Sequence, residues 1–244
     1  GPSGSDVQIP VPFHAATAGF ADLETGEGTP LVSPSQIVSL DVTIVDGDTG
    51  EAAFTTTANP AGPGAFTFAS WIEAIPAFET ALQCATPGSL VVVALAPDDV
   101  TSQTAAALGI GDDASAIAVV DVHDVYLSQA QGAPQFNVGN NLPSVVRAPD
   151  GRPGITIPTG PPPGYVVKQT LNKAEGPVVT AADTVRVQYT GLTWAEREVF
   201  DTTWDADPAS IPLSNVIPAV AAAVEGQTVG SQVMSIVPAE DGGY

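Results

Sequence analysis

Few side chains in this 244-residue chain are of the types that carry out nucleophilic or metal chemistry. His14 and His123 are the only two imidazoles, and Cys84 is the only thiol. Two histidines so far apart do not predict a metal centre or a Ser-His-Asp hydrolase. A single cysteine cannot form a disulfide within one chain, and Cys84 is expected to be a small buried apolar residue.

The elements that must position any site can be placed from the apolar pattern. Asp46 to Gly50 supplies turn residues between two predicted strands, and a hairpin turn is favoured there over a calcium loop. A helix is predicted over 75–82, where Pro76 lies in the first turn and apolar residues recur on one face. Strands are predicted where apolar and β-branched residues alternate or cluster, over 36–44, 52–54, 66–68, 90–95 and 117–126.

Acidic residues dominate the charge of the chain. Asp and Glu number 27 against 6 Lys and Arg, which gives a formal net charge of −21. All six basic residues lie between Arg147 and Arg197, so residues 1–146 have none. Such a surface cannot neutralise a nucleic-acid backbone or an anionic lipid headgroup, which excludes both as partners. The acidity favours solubility in an extracellular or salty setting over a specific cationic partner.

No transmembrane segment is predicted. The longest fully apolar run without proline, residues 90–96, is much shorter than the ~18–20 residues that span a bilayer. Residues 1–5, Gly-Pro-Ser-Gly-Ser, are predicted to be a protease-cleavage and linker remnant rather than natural sequence.

Short motifs of the first half recur in the same order in the second half. Between the two copies the offset falls from 148 to 146 and then to 142 positions, which predicts two homologous domains whose loops differ in length. The stretch between them, 129–164, is rich in Pro, Gly, Asn and Gln and is predicted to be a semi-rigid linker with one hairpin around Asp150-Gly151. The matching pairs are Glu27-Gly28 with Glu175-Gly176, Phe54 with Phe200, Ile75-Pro76-Ala77 with Ile217-Pro218-Ala219, and Gly88-Ser89 with Gly230-Ser231.

The second copy, 165–244, resembles an FKBP-type peptidyl-prolyl cis-trans isomerase domain. Four ordered motifs carry the resemblance: Tyr189-Thr190-Gly191 after a strand, Phe200-Asp201-Thr202-Thr203, Val216-Ile217-Pro218, and Val229-Gly230-Ser231. The first copy, 6–128, resembles the family only through the repeat. The resemblance implies an α+β fold class with two FKBP-like domains, each a twisted antiparallel sheet wrapped around a short helix.

The resemblance also implies an activity that needs no nucleophile, metal or cofactor. Rotation about an X–Pro bond faces a barrier of about 18–20 kcal/mol because the twisted amide loses its resonance. A water-poor pocket and a few polar groups that favour the twisted amide suffice to catalyse it. Proline-containing polypeptide clients are the implied partners, and the sequence leaves open whether a macrolide binds.

Site residues follow from the motif matches alone. Val220 stands where the family usually has a tryptophan floor, Ala209 where a phenylalanine is usual and Ala206 where a basic residue often pairs with the aspartate, so a shallower pocket is expected. The implied catalytic residues are Tyr189, Phe200, Asp201, Val216 and Ile217. The implied substrate-binding residues are Val220, Ile211 and Tyr244.

The first copy departs further from the family. On these matches Thr43 replaces the tyrosine and Thr55 the aspartate, so an inactive domain is expected. An apolar hollow formed by Phe54, Phe66 and Phe78 is still predicted there. The alternative to an isomerase is a non-catalytic FKBP-like module that only binds or chaperones proteins.

Two further expectations concern context. The first copy has a terminal strand over 117–126 and the second copy has no equivalent before Tyr244, so the second domain is predicted to be missing its last strand. The few Lys and Arg and the tandem form of the family suggest an exported, cell-surface protein, tethered by a lipid in its full-length form.

Overall fold

The chain forms two compact units, Gly1–Ser128 and Gln129–Tyr244, in a computed structural model. The structure describes residues 7–56, 64–111, 113–136, 139–206 and 208–242. The predicted remnant at 1–5 and Tyr244 lie outside these ranges. No helix within them is long and apolar enough to cross a membrane.

The first unit is a six-stranded antiparallel sheet with short helices packed on it. Its strands lie in the order β1-β5-β6-β2-β3, and β4 also pairs with β2. The elements are β1 (Gly19–Glu24), β2 (Ile37–Asp46), β3 (Ala52–Thr55), β4 (Ala65–Thr67), α1 (Phe68–Ala74), α2 (Phe78–Ala81), β5 (Leu90–Leu95), α3 (Ser102–Leu108) and β6 (Ala116–Val125).

The core of the first unit lies between one face of this sheet and the helices. Alternate residues of β2, β5 and β6 point the same way, so each strand contributes every second side chain to it. Phe78 and Leu82, in and just after α2, close the core from the helical side and are fully buried. The buried strand residues are Val38, Leu40, Val42, Ile44, Val91, Val93, Leu95, Ala118, Val120 and Val122.

The five predicted strands are present, whereas the predicted helix over 75–82 is wrong in its bounds. Residue 75 precedes a proline, which disfavours helical backbone, and Ile75 has φ −136° and ψ 87°. The helical segment is therefore divided into α1 before it and α2 after it. The prediction that Cys84 is buried is also wrong, because it lies exposed in the turn after α2 with φ 65°.

The second unit has shorter strands in several small antiparallel sheets. Pairing gives the orders β15-β10-β7, β11-β14, β12-β13 and β8-β9. Its elements are β7 (Ala133–Pro134), β8 (Ser144–Arg147), β9 (Pro153–Thr156), β10 (Val167–Lys173), β11 (Thr184–Val187), β12 (Thr190–Leu192), β13 (Val199–Thr202), β14 (Ala209–Pro212), α4 (Pro218–Val224) and β15 (Gln232–Ile236).

Residues 129–164, predicted to be a linker, are grouped with the second unit. β7 pairs with β10, and the Trp194 indole N–H donates to the Gly160 carbonyl at 3.0 Å. The hairpin expected around Asp150-Gly151 is formed by β8 and β9.

Strand pairing in the two units matches residue by residue. Thr43 pairs with Thr55 in the first unit, and Thr190 pairs with Thr202 in the second, 147 positions later. The hydroxyls of each threonine pair lie 3.1 Å apart. β1–β5 and β10–β15 are also paired in the same register, with the irregularity at the same place in each.

The main difference between the two sheets is the strand β6. In the first unit β6 lies between β5 and β2 and pairs with both. Within the ranges that the structure describes, the second unit has no strand between β15 and β11, the counterparts of β5 and the start of β2. Its apolar residues are correspondingly less buried, and among the described residues few of them count as buried: Val179, Leu213, Ala219 and Ala223.

Candidate active site

Tyr189 and Asp201 are brought together by the β12–β13 pair. Tyr189 lies just before β12, and Asp201 lies in β13 opposite Gly191. The Tyr189 hydroxyl donates a hydrogen bond to a carboxylate oxygen of Asp201. This hydrogen bond, together with partial burial and the negative charge of Asp201, raises the pKa of the Tyr189 phenol above its ordinary value. The phenol is therefore neutral at physiological pH and is held in one orientation by the carboxylate.

A β-bulge lets Phe200 share the site with its neighbour Asp201. Gly191 pairs with Asp201 and Leu192 with Val199, so Phe200 is the extra residue on its strand. Adjacent strand residues normally point to opposite faces, and a bulge can re-aim one of them. The Phe200 ring lies over Gly191, where a Cβ would collide with it. Phe200 is 50% exposed and presents an apolar surface beside the Tyr189–Asp201 pair.

Thr203, behind the pair, fixes the backbone of Tyr189. The Tyr189 N–H donates to the Thr203 hydroxyl at 2.9 Å, and the Thr203 N–H donates to the Tyr189 carbonyl at 3.1 Å. The Thr203 hydroxyl also donates to the side-chain carbonyl of Gln188 at 2.6 Å. Sequence reasoning missed this role of Thr203, although the run Thr202-Thr203 after Asp201 was part of the quoted motif.

Val216 and Ile217 lead into α4, which begins at Pro218. Proline suits the first helical position because its missing N–H would have no partner there. Within the described ranges the Ile217 N–H is not donated to any acceptor. The Ile217 side chain is 39% exposed. It lies near Gly242, which follows β15, and a Cβ placed on Gly242 would be 3.5 Å from the nearest Ile217 side-chain atom.

The other predicted binding residues occupy separate elements. Ile211 is half-buried in β14, opposite Val185, and Val220 is 37% exposed on α4. The observed contact among the predicted residues is therefore Tyr189 with Asp201, with Phe200 placed next to it by the bulge. Tyr244 lies outside the described residues.

In the first unit the positions equivalent to this pair are apolar, which corrects two predicted equivalences. Because the strand offset is 147, Val42 stands where the second unit has Tyr189, and Phe54 where it has Asp201. Thr43 and Thr55, predicted at those positions, instead match Thr190 and Thr202. The repeat-based alignment was off by one because it matched Phe54 to Phe200.

The predicted hollow of the first unit is filled. Phe78 is fully buried, and the Trp71 ring packs on it at a centroid distance of 6.2 Å. Phe66 is exposed and meets the Trp71 ring edge-on at 6.4 Å. A shallow hollow of about 310 Å³ lies elsewhere, between β1 and α2, with Phe20, Pro76 and Thr80 among its lining residues.

Acidic and imidazole side chains of the first unit form a small surface network. His123 Nε2 lies 2.8 Å from Asp41, which also accepts a hydrogen bond from the Thr56 hydroxyl at 3.0 Å. In the described ranges no group of three His, Cys, Asp or Glu side chains is arranged to hold a metal ion.

Known proteins resemble the chain through its second unit. A family model described as FKBP-type peptidyl-prolyl cis-trans isomerase matches residues 176–242, which hold Tyr189, Phe200, Asp201, Val216 and Ile217. An FK506-binding protein of Streptomyces anulatus is 32% identical over 91 residues, which are 36% of this chain and 73% of that protein. A probable FK506-binding protein of Corynebacterium glutamicum is 30% identical over 90 residues, 36% of this chain and 76% of that protein.

Solved structures are also similar to the chain. One of them is a crystal structure of a peptidyl-prolyl cis-trans isomerase from Pseudomonas syringae pv. tomato, with 17% identity and a TM-score of 0.37, covering 44% of this chain and 74% of that one. The architecture of the chain itself is mixed α/β, with antiparallel sheets and few helices. On the two bacterial sequence relatives and the matched motif region, the chain belongs to the family of FKBP-type peptidyl-prolyl cis-trans isomerases.

Proposed function

We propose that the second unit catalyses cis–trans isomerisation of X–Pro bonds in polypeptide clients. The observation that carries the proposal is the Tyr189–Asp201 pair beside the exposed Phe200 ring, inside the segment that the family model matches. In this proposal the proline ring packs on Phe200, while the Ile217 N–H donates to a client carbonyl.

The proposed catalysis follows from the difference between the planar and the twisted amide. The planar amide is strongly polar because of its resonance, and twisting removes that resonance. Moving the amide from water onto an apolar surface therefore costs the planar form more than the twisted form, which lowers the barrier to rotation. Tyr189, held by Asp201, offers a fixed dipole that needs no reorganisation as the amide rotates. In this proposal Val216, Val220 and Ile211 supply further apolar surface to the bound client, and no cofactor is required.

The first unit is proposed to be a degenerate FKBP-like copy that holds clients or spaces the second unit. Its matching strand registers support the common fold, and its apolar residues at the pair positions argue against catalysis there. The runner-up function is a module in which neither unit catalyses and both only bind protein. Two features support this alternative. The second-unit site is partly exposed, and position 220 holds a valine instead of a large aromatic residue.

A protease-coupled assay with a proline-containing peptide separates the two functions. The intact chain should accelerate isomerisation, and Asp201→Ala and Phe200→Ala should each lose roughly tenfold in kcat/KM, as expected for one group worth about 1.4 kcal/mol. Asp22→Ala, on the exposed strand β1, is the matched control and should retain full activity. Peptide binding without acceleration would establish the binding-module alternative.

The protein is further proposed to act outside the cytoplasm, at the cell surface, with a lipid anchor in its full-length form. The proposal is supported by the strongly acidic surface and by the near absence of Lys and Arg. Fractionation of the source cells, followed by detection with an antibody to the second unit, would test it. Recovery from the cytosolic fraction alone would contradict it.

A further inference from the structure

A hairpin outside the family-matched segment packs near the proposed site. It comprises β8, β9 and the turn 148–152, and we refer to it as the 144–156 hairpin. Its strands pair from Ser144 with Thr156 to Arg147 with Pro153. The turn is closed by the Ala148 N–H donating to the Arg152 carbonyl and the Gly151 N–H donating to the Ala148 carbonyl, both at 2.9 Å.

The tip of this hairpin contacts the turn 203–206, which follows Asp201. Gly151 is buried with φ +96°, and a Cβ placed there would lie 2.6 Å from Gln129 Cβ and 3.1 Å from Trp204 Cη2. The Trp204 indole nitrogen is buried and has no hydrogen-bond partner among the described residues. Beside it, the Arg152 guanidinium forms an ion pair with Asp205.

The 203–206 turn is in direct contact with Tyr189, one member of the proposed catalytic pair. Thr203 and Tyr189 exchange two hydrogen bonds, as described above, and the Trp204 N–H donates to the Thr202 hydroxyl at 3.3 Å. Thr202 is adjacent to Asp201 in β13. A displacement of Trp204 is therefore transmitted through two residues to the carboxylate that orients Tyr189.

We propose that the 144–156 hairpin is a positioning element of the isomerase site, in which Gly151 and Arg152 hold the 203–206 turn and so keep Asp201 against Tyr189. The proposal rests on the proposed isomerase function. Arg152 is a positioning residue, because the structure pairs it with Asp205 and not with either site residue.

The packing of Gly151 contributes more to this arrangement than the ion pair. The side chains of Arg152 and Asp205 are 42% and 72% exposed, and solvent screens pairs this open. Any side chain at residue 151 would instead collide with Gln129 and press on the Trp204 ring, because its Cβ would lie 2.6 Å from Gln129 Cβ and 3.1 Å from Trp204 Cη2. Gly151→Ala is therefore the main probe of the hairpin, and the charged residues provide a second one.

Gly226→Ala is the matched control for Gly151→Ala. Gly226 also has a positive φ, +76°, so alanine carries backbone strain there too. However, a Cβ at Gly226 would meet nothing within 4 Å. Both variants carry the same type of backbone strain, and only Gly151→Ala pushes on Trp204.

The experiment measures two quantities on the intact chain, kcat/KM for a proline-containing peptide and the pKa of Tyr189. The pKa is followed by the ¹³C shift of Cζ in tyrosine-labelled protein, with the signal assigned by Tyr189→Phe. We expect Gly151→Ala to lower kcat/KM roughly tenfold and to bring the Tyr189 pKa down towards its ordinary value, because the bond to Asp201 loosens. Gly226→Ala should change neither quantity.

Arg152→Gln separates positioning from simple charge. Removal of a nearby cation by itself raises a phenol pKa, whereas loss of the Asp201 bond lowers it, so a fall supports the proposal. An unchanged Tyr189 pKa in Gly151→Ala, or a rise in Arg152→Gln, overturns the proposal.

Two further results remain informative. If Gly151→Ala does not fold, the double variant with exchanged charges, Arg152→Asp with Asp205→Arg, tests the proposal in its place. Recovery of the wild-type Tyr189 pKa, relative to Arg152→Asp alone, supports the proposal, and no recovery overturns it. If the wild-type chain shows no isomerase activity, the proposed function fails, while the Tyr189 pKa still tests the hairpin.

Discussion

The phenol of Tyr189 donates its hydrogen to Asp201, whereas Val42 and Phe54 occupy the same two strand positions in the first unit. At these positions the two units share strand register, bulge and threonine pair, so the difference between Tyr189–Asp201 and Val42–Phe54 lies in the side chains and not in the local backbone. One scaffold thus carries a polar pair in the second unit and an apolar pair in the first.

The first prediction concerns the ionisation of Tyr189. Asp201→Asn should lower the pKa of this phenol, because both the charge-assisted hydrogen bond and the repulsion of the phenolate are lost. Since the folded pKa is raised, the bond stabilises the fold fully below pH ~10, the unfolded value, and this stabilisation disappears as pH rises through the folded value. Titration of the Tyr189 Cζ shift in wild type and variant checks this. An unchanged pKa would mean that the bond is absent in solution.

The second prediction concerns Gly191. A side chain there collides with the Phe200 ring, so Gly191→Ala should displace Phe200 and lower kcat/KM roughly tenfold while leaving Asp201 unaltered. Gly164→Ala is the control, because a Cβ there meets nothing within 4 Å. Equal activity of the two variants would show that Phe200 does not contribute to the site in the conformation described.

The third prediction tests the corrected equivalence between the units. Phe54 packs against the core of the first unit, so Phe54→Asp should destabilise that unit by roughly 3 kcal/mol or more. Thr55→Ala removes the hydroxyl contact with Thr43 and should cost about 1 kcal/mol, less than the loss of Phe54. Urea unfolding followed by Trp71 fluorescence, in a chain without Trp194 and Trp204, measures both. If Thr55→Ala destabilised the unit more than Phe54→Asp, the result would contradict the corrected equivalence of Phe54 with Asp201.

The sequence predicted five of the six strands of the first unit, because β2, β5 and β6 are buried and rich in β-branched residues and the turn residues beside the shorter strands mark their ends. It missed β1, whose residues are all exposed and do not alternate clearly. The offset between equivalent positions of the two units was harder to predict. Bulges and loop-length differences change it by one position, as at Phe54 and Asp201, without leaving a signal in the sequence. The predicted helix over 75–82 begins too early because Ile75 precedes Pro76, a local effect that the apolar periodicity concealed, and the helix α1 before it was missed. The helix α3 was missed although Thr101 accepts a hydrogen bond at its N-terminus and Gly109 ends it in the left-handed conformation.

The site residues could be predicted only in part from the sequence. Tyr189, Phe200 and Asp201 were identified from their motifs, and the Tyr189–Asp201 contact needed the strand register. The contribution of Thr203 and the contact of Gly151 with Trp204 join segments that are far apart in sequence. No periodicity or spacing of residue types connects such segments.

The fourth prediction concerns Cys84. This thiol is exposed in the turn after α2, so Ellman's reagent should modify one thiol per folded chain without denaturant. Cys84→Ser is the control and should give no reaction. Reaction only after unfolding would place Cys84 in the core, as its apolar character had suggested.

The account depends most directly on whether the second unit speeds rotation about X–Pro bonds through the Tyr189–Asp201 pair. Exchange NMR on a proline-containing tetrapeptide measures the cis–trans rate without a coupling protease, in the presence of the intact chain, Tyr189→Phe or Asp201→Ala. We expect substoichiometric wild-type protein to accelerate exchange, and both variants to lose roughly tenfold of that acceleration. Exchange at the uncatalysed rate with wild type, or equal acceleration by wild type and both variants, would contradict the account.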